Sequence, residues 1–474
     1  MTPSLNSLDL FATDASLPIL YLFLFFGIDD FFIDVCAWIL RVKPKELKSL
    51  HLDQIRQIPE KKIAVLIAAW KEEGVLKHMI RGNLAAIQYT NYTFFIGVYP
   101  NDLETLAEAN QLAAEIPNVV IVVNSQEGPT CKGQMLNVMV REIVKIEKID
   151  NVPFDAFIIH DSEDLIHGLE FQIVNGELNH HDFVQIPVFS LPVSRFSFVA
   201  GIYIDEFAES HTKSVLVRNI LGAPIPAAGV GTAVSRKLVQ ECLEKQGGDL
   251  LNIRSLTEDY ELGLNTQTFG MHSKFSCYFF LKPDLKREYI ATREYFPRSF
   301  KASVRQKSRW TLGIAFQGLE NLGWKGTVLH RYFLFRDRKG PFCNALVIVT
   351  LSLLIYMSVR LFFRDALDTE ILANSLDYFQ IEPLIEINLF FMLNRFFHRV
   401  WSVKIVYGWK LALFSPIRWP LANVINFLAA LKATHQYIQN KILGTQPKWI
   451  KTAHELPEGF GGAPELTLEG ETRL

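Results

Sequence analysis

The chain has 474 residues, a length that corresponds to roughly three domain-sized units. Its 48 basic and 50 acidic residues give a net charge of −2, which excludes proteins that bind nucleic acid through overall positive charge. The five cysteines are scattered with no CxxC pair, which argues against a zinc ribbon or a disulfide framework and fits a reducing compartment.

The first predicted element is an apolar helix from about Leu17 to Leu40, long enough to cross a bilayer. It has no preceding basic stretch and no small-residue cleavage site, so a removable signal peptide is not expected. Asp29, Asp30 and Asp34 interrupt it, and they either have a function within the membrane or lie near one interface. Basic residues follow at Arg41, Lys43, Lys45 and Lys48. By the positive-inside rule, residues 1–45 form an anchor and the next domain is cytoplasmic.

Residues 55–290 alternate between short apolar runs and helical stretches. Strands are predicted at Ile63–Ala69, Thr93–Tyr99, Asn118–Val123 and Phe154–His160. Helices are predicted up to Gln88, over Leu103–Glu115 and over Cys131–Lys145. This order predicts an α/β fold with a mostly parallel sheet and helices on both faces. Ligands of such sheets bind beyond the carboxyl ends of the strands, so the polar residues that follow each strand are the candidate site.

Acidic residues follow three of these strands. In chain order they are Glu72 and Glu73, then Asp102, then Asp161, Glu163 and Asp164. Three carboxylates within four residues repel one another, and such hard oxygen ligands suit Mg²⁺ or Mn²⁺ held together with substrate phosphates. The alternative is a solvated acidic helix N-terminus. His160, at the end of the fourth strand, is expected to be a core histidine and not a metal ligand.

The remainder of the chain is predicted to return to the membrane. Residues 291–340 are basic and aromatic, which is typical of an amphipathic region at a membrane surface. Within 341–435, spans are predicted at Phe342–Val359 and Tyr378–Val400, and an interfacial helix at Leu411–Leu431. Three crossings with a cytoplasmic tail over 436–474 are therefore expected.

Three short motifs occur in order along the chain: DSED at Asp161–Asp164, TED at Thr257–Asp259 and QxxRW at Gln306–Trp310. In this order, with a membrane segment just beyond, the sequence resembles the membrane-integrated inverting glycosyltransferases of family 2, which include cellulose, chitin and hyaluronan synthases. Further matches are Lys132-Gly133 with Leu136-Asn137, and Gly231-Thr232-Ala233 followed by Arg236. The resemblance implies a GT-A-like fold, a nucleotide-sugar donor with uridine diphosphate as carrier, and Mg²⁺ or Mn²⁺.

The resemblance also implies roles for particular residues. Asp259 would be the general base, with Glu258 as the less certain half of the pair. Donor contacts would come from Glu72 or Glu73, Asp102, Lys132, Asp161, Gln306 and Arg309. Metal ligands would be Asp161, Glu163 and Asp164, and acceptor contacts would be Gly231, Thr232 and Trp310. The structural alternatives are a helix cap begun by Thr257, a turn glycine at Gly231 and a membrane-interface aromatic at Trp310.

The flanking sequence is similar to one branch of the family, the bacteriophage adsorption protein B type of the bacterial inner membrane. The matching residues are Asp29-Asp30, Tyr99–Asp102, Arg418–Pro420 and Asn423–Asn426. In two respects the sequence departs from its relatives. The polysaccharide synthases have paired aspartates where this chain has only Asp102. Members of the branch often carry a further C-terminal regulatory domain, and the resemblance ends soon after Trp449.

The expected function is extension of a glycan at the cytoplasmic face of the inner membrane, for an exported or surface polysaccharide. Three crossings are few for a secretion channel, so self-association or an export partner is expected. Contact with membrane lipids is also expected, and nucleic acid is not. One alternative is transfer of a single sugar to a lipid-linked acceptor. The other is a receptor or scaffold that retains the fold without activity.

Overall fold

The computed structural model describes residues 3–362 and 378–445. The strands are β1 Lys45–Glu46, β2 Ile63–Ala68, β3 Tyr92–Val98, β4 Val119–Val123, β5 Ala156–His160, β6 Phe183–Gln185, β7 Val188–Ser190, β8 Thr232–Ser235, β9 Ser273–Phe275, β10 Tyr278–Leu281, β11 Arg287–Ile290 and β12 Thr292–Glu294.

The helices up to residue 268 are α1 Pro3–Ile39, α2 Ser49–Arg56, α3 Leu76–Ala86, α4 Leu103–Glu115, α5 Lys132–Asp150, α6 Glu170–Glu177, α7 Phe198–Glu209, α8 Val215–Ile220, α9 Arg236–Lys245 and α10 Glu258–Thr268. The later helices are α11 Phe300–Thr311, α12 Gly318–Leu322, α13 Val328–Arg338, α14 Gly340–Phe362, α15 Tyr378–Tyr407, α16 Trp409–Ala412 and α17 Ser415–Leu443. The π-helical turns Ser210–Ser214 and Leu312–Gln317 join α7 to α8 and α11 to α12.

The central sheet has the strand order β4-β3-β2-β5-β8-β6-β9. The first four strands are parallel, whereas β8 runs antiparallel to both of its neighbours. The four predicted strands and the mostly parallel sheet are therefore confirmed. Two smaller sheets, β1-β10-β11 and β12-β7, lie outside it.

Burial on both faces explains why the central strands are almost wholly apolar in sequence. All five residues of β5 are buried, as are the first five of β2. Helix α5 covers one face, and it approaches β3 closely enough that a Cβ atom at Gly97 would lie 2.7 Å from the Met135 and Met139 sulfur atoms. Packing on both faces fixes the carboxyl edge of the sheet, where β2, β3 and β5 end together.

Helices α1, α14, α15 and α17 pack around one another and against the catalytic body, with α11 in contact with α17. Asp29, Asp30 and Asp34 of α1 are paired and not free. Asp29 and Asp30 contact Arg336 and Lys339, and Asp34 lies 2.6 Å from the Lys213 ammonium. These contacts join α1 to the C-terminal end of α13 and to the π-helical turn Ser210–Ser214.

Within the described ranges, no single helix has the length and apolar composition of a membrane span, although α13 and the residues 340–356 together meet that test across a 46° bend. Three crossings are therefore not confirmed. Residues 363–377, which include the acidic residues Asp365, Asp368, Glu370 and Asp377, and the chain beyond residue 445 lie outside the described residues.

Candidate active site

The DSED residues form a turn directly after β5, and the next helix, α6, begins only at Glu170. The alternative of an acidic helix N-terminus is therefore wrong. Asp164 is completely buried, and its carboxylate accepts a hydrogen bond from the Asp161 amide at 2.9 Å while lying 3.0 Å from His160 Nδ1. One oxygen of the Asp164 carboxylate therefore shapes the turn, and the role of Asp164 as a metal ligand stays a prediction.

His160 lies in the core, as predicted. It is fully buried between Asp164 and Glu170, with its Nε2 atom 2.9 Å from the Glu170 carboxylate. Burial alone would lower the pKa of His160, but the two carboxylates outweigh that effect and raise it to about 9. The imidazolium therefore joins the DSED turn to α6.

Lys132 connects two of the motifs. At the first position of α5, its ammonium forms an ion pair with Asp161 and donates a hydrogen bond to the Gly229 carbonyl at 2.9 Å. Burial disfavours the charged ammonium, yet Asp161 outweighs that cost and raises the pKa of Lys132 above its usual value. Asp259 contributes to the same effect, so Lys132, Asp161 and Asp259 lie within electrostatic reach of one another.

Two glycines make room for the TED carboxylates. A Cβ atom at Gly229 would collide with the Asp259 carboxylate, and one at Gly133 would lie 2.9 Å from Glu258 Cγ. Gly229 also has a φ of +85°, a conformation that glycine adopts without strain. Burial, together with the neighbouring Asp259, raises the pKa of Glu258 to about 7, and burial also raises that of Asp259. Thr257 occupies the N-cap position of α10 and Asp259 lies in its first turn, as in the structural alternative, but the Thr257 side chain forms no capping hydrogen bond.

The QxxRW motif lies on α11, which continues into the π-helical turn beneath the TED loop. A Cβ atom at Gly313 would collide with the Thr257 side chain, so the turn and the loop are in close contact. Arg309 lies close enough to Asp259 and Glu258 that its positive charge offsets part of the rise in their pKa values. Within the described residues, Arg309 Nε and Gln306 Oε1 are buried without a hydrogen-bond partner, so both atoms are able to bond with a polar ligand group.

The donor candidates after the first two strands are linked through one hydrogen bond. Asp102 is buried, and its carboxylate accepts from the Lys71 amide at 2.6 Å, which joins the loops that follow β2 and β3. Glu72 is buried beside them, with its amide donating to Thr105 Oγ1 at 3.0 Å. Glu73 is exposed, so of the two glutamates Glu72 is the one inside the fold.

The acceptor candidates differ in their exposure. Thr232 is completely buried in β8, where its hydroxyl donates to Gln185 at 2.7 Å, and its contact with an acceptor stays a prediction. Gly231 has a φ of +57° and faces Thr292, which makes it the turn glycine of the alternative. Trp310 is partly buried against Tyr203, with ring centroids 6.1 Å apart, and its contact with an acceptor stays a prediction.

Glu294 is a further acidic residue at the site that the sequence did not reveal. Leu165 and Arg293 exchange backbone hydrogen bonds of 2.8 and 3.0 Å, which hold β12 against the DSED turn. Burial, and then repulsion from Asp164, Glu163 and Asp161, raises the pKa of Glu294 well above its usual value. A strand of three residues gives no periodic signal, so only the tertiary structure shows this fourth carboxylate.

The concentration of carboxylates fits a divalent cation. Among the residues in the described ranges, no three His, Cys, Asp or Glu side chains are grouped as a ready-made metal cage. Mg²⁺-type sites, however, use one or two carboxylates and complete their coordination with substrate phosphates and water. Asp161 and Glu163 meet that requirement beside the excess negative charge of Asp164 and Glu294.

Comparison with known proteins agrees with this geometry. A family model described as "Glycosyltransferase like family 2" matches residues 59–313, which include the DSED, TED and QxxRW motifs. The chain belongs to glycosyltransferase family 2. The match spans more than half of the sequence, so the predicted family resemblance is confirmed.

Two Escherichia coli proteins are similar to this chain. They are bacteriophage adsorption protein B of strain K12 and bacteriophage N4 adsorption protein B of O157:H7, each 34% identical over 94% of this chain and 63% of the relative. The predicted resemblance to that branch is thus confirmed, and the chain spans about 63% of the length of these relatives.

A solved structure supports the fold. A mannosyltransferase from Pyrobaculum calidifontis, in complex with GDP-Man and Mn²⁺, has a TM-score of 0.52 and 13% identity, covering 91% of this chain and 99% of its own. At this identity the similarity establishes the GT-A-like fold and not the donor.

Proposed function

We propose that this chain transfers a sugar, with inversion at the anomeric carbon, from a nucleotide-sugar donor to a growing glycan at the cytoplasmic face of the bacterial inner membrane. The observation that carries the proposal is the convergence of three motifs distant in sequence. Lys132 contacts Asp161 of DSED and the Gly229 carbonyl. The Asp259 carboxylate of TED occupies the space where a Cβ atom at Gly229 would lie, and Arg309 of QxxRW lies near Asp259.

The donor side is proposed to lie at the carboxyl ends of β2, β3 and β5. The nucleoside would bind between the Glu72 and Asp102 loops, and Asp161 and Glu163 would hold the metal beside the diphosphate. When bound, a divalent cation neutralises negative charge that develops on the leaving nucleoside diphosphate. Arg309 supports the same group, because its buried Nε atom lacks a partner and a guanidinium can bind phosphate oxygens in pairs.

Asp259 is proposed as the general base. The acceptor hydroxyl oxygen attacks the anomeric carbon, its proton passes to the Asp259 carboxylate, and the bond to the diphosphate oxygen breaks on the opposite face. The raised pKa of Asp259 brings it closer to neutral pH, where a carboxylate is a stronger base. A single displacement of this kind inverts the configuration and needs no second nucleophilic carboxylate.

The membrane location rests on the surface of the flanking helices. Helices α1, α14, α15 and α17 expose many large apolar side chains, a combination that a water-soluble surface rarely shows. Examples are Phe25, Ile355, Phe390 and Ile417, which are exposed by 54%, 64%, 54% and 59%. We therefore place these helices in or on the bilayer and the α/β body on its cytoplasmic side.

The test uses the full chain in detergent with a panel of UDP- and GDP-linked sugars. Asp259→Asn should lower the transfer rate by roughly 100- to 10,000-fold, the usual contribution of a general base, while donor binding stays near wild type. Asp249→Asn is the matched control, since Asp249 pairs with Arg141 on the surface. Equal activity in wild type and Asp259→Asn would refute the role of Asp259.

Product size separates the competing functions. A ladder of products from labelled donor supports glycan extension, whereas a single addition supports transfer to a lipid-linked acceptor. Failure of wild type to release nucleoside diphosphate from any donor would support the receptor or scaffold alternative.

A further inference from the structure

A second cavity lies apart from the active site, where α1 leaves the helical region and meets α15 and β11. Its volume is about 760 Å³, within the range of roughly 300–1,000 Å³ that is typical of ligand sites. Its lining includes Trp38, Ile39, Arg41, Lys43, Arg287 and Trp401. None of the proposed donor, metal or base residues lines it, so a different ligand must account for it.

The cavity has an uncompensated positive charge. Lys213 and Asp34 also line it, but they pair with each other at 2.6 Å. Arg41, Lys43 and Arg287 have no ion-pair partner among residues 3–362 and 378–445, and all three are exposed. Arg287 is further oriented by the Phe279 ring, which lies 4.5 Å from its guanidinium carbon. Three guanidinium or ammonium groups around one space favour an anionic ligand.

The cavity also has an apolar wall, formed by side chains of α1 and α15. Trp38 and Ile39 are 80% and 64% exposed, and Trp401 is 46% exposed. Tryptophan is enriched where a membrane's hydrocarbon meets its headgroups, and basic residues just beyond a membrane helix bind anionic headgroups. Inorganic phosphate would use the basic side and leave the apolar wall without a contact.

We propose that this cavity binds an acidic phospholipid, with the headgroup phosphate among Arg41, Lys43 and Arg287 and an acyl chain along Trp38 and Trp401. The proposal rests on the membrane attachment proposed above. The bound lipid joins α1 to β11 of the catalytic body and so fixes the body against the membrane surface.

The experiment measures binding of phosphatidylglycerol to the purified full chain in neutral detergent by native mass spectrometry. The test variant is Arg41→Gln/Lys43→Gln/Arg287→Gln. The control Lys145→Gln/Lys148→Gln/Lys237→Gln removes the same net charge from exposed residues of α5 and α9. Each basic residue near an anionic surface contributes roughly fivefold to binding, so the test variant should lose affinity on the order of 100-fold. The control should bind like wild type.

Equal affinity in test variant and control would overturn the proposal, because bulk charge and not the cavity would then explain binding. Competition by inorganic phosphate as effective as that by phosphatidylglycerol would also overturn it, since the apolar wall would contribute nothing. Nucleoside diphosphate release in detergent is measured in parallel. If wild type releases nucleoside diphosphate but does not bind phosphatidylglycerol, only this inference is refuted. If wild type releases no nucleoside diphosphate from any donor, the proposed function is refuted.

Discussion

Gly229 tests whether Asp259 must occupy the position that the fold gives it. An alanine there would meet two separate difficulties. Its φ of +85° is unfavourable for any L-residue with a Cβ atom, which costs about 1–2 kcal/mol. The added methyl would also collide with the Asp259 carboxylate, so either that carboxylate or the loop must move.

Gly222→Ala separates the two effects. Gly222 has a φ of +73°, close to that of Gly229, but no atom lies within 4 Å of the position of its added Cβ atom. Both variants should therefore lose about 1–2 kcal/mol of folding free energy. Only Gly229→Ala should also misplace a catalytic group, and a displacement of about 1 Å can lower a rate by roughly 100-fold.

The assay combines thermal unfolding of both variants with the kcat/KM for nucleoside diphosphate release. We expect similar decreases in Tm and a roughly 100-fold lower kcat/KM for Gly229→Ala than for Gly222→Ala. If the two variants are equally active, the Asp259 carboxylate does not need the space at Gly229, and the reasoning is refuted.

Three further predictions concern charge. Lys132→Met should raise the KM for the donor by roughly 10- to 100-fold, the usual cost of losing a charged hydrogen bond, and donor titrations would measure it. The acidic limb of kcat/KM should lie above the ordinary range of an aspartate, because the raised pKa keeps Asp259 protonated and inactive at a higher pH. A pH–rate profile measures the position of that limb. Arg418→Met should cost about 3–5 kcal/mol by leaving buried Asp205 unpaired, and Asp205→Leu/Arg418→Met should recover much of that stability in thermal unfolding.

The parallel half of the sheet could be predicted from sequence because its strands are buried on both faces. The runs at Ile63–Ala69 and Phe154–His160 are apolar for that reason, and the structure places β2 and β5 within them. The antiparallel strand β8 was not predicted. Its four residues are too short for a periodic signal, and its direction depends on pairing with β5 and β6.

The order of the motifs predicted which residues form the site, but it did not predict the role of each residue there. DSED predicts three equivalent carboxylates, yet the turn buries Asp164 against His160 and leaves Asp161 facing Lys132. The sequence also does not show that the Thr232 hydroxyl donates a hydrogen bond to Gln185 in the core. Glu294 reaches the site only through tertiary contact, which no local pattern encodes.

QxxRW shows the same division of roles within one motif. Lys307, in the middle of it, is buried and pairs with Glu206 of α7, and it also donates to Asn426 of α17 at 2.9 Å. Its neighbours Gln306 and Arg309 instead have buried polar atoms that lack partners in the described part of the chain. One face of α11 thus anchors the catalytic body to the flanking helices, while the other is available to substrate.

The most direct test of the central claim measures nucleoside diphosphate release by the full chain across the donor panel, with Mn²⁺, with Mg²⁺ and with a chelator. We expect nucleoside diphosphate release from at least one donor. This release should require a divalent cation, and the double substitution Asp161→Asn/Glu163→Gln should abolish it. Release that persists at the same rate with the chelator, or in that double variant, would contradict it.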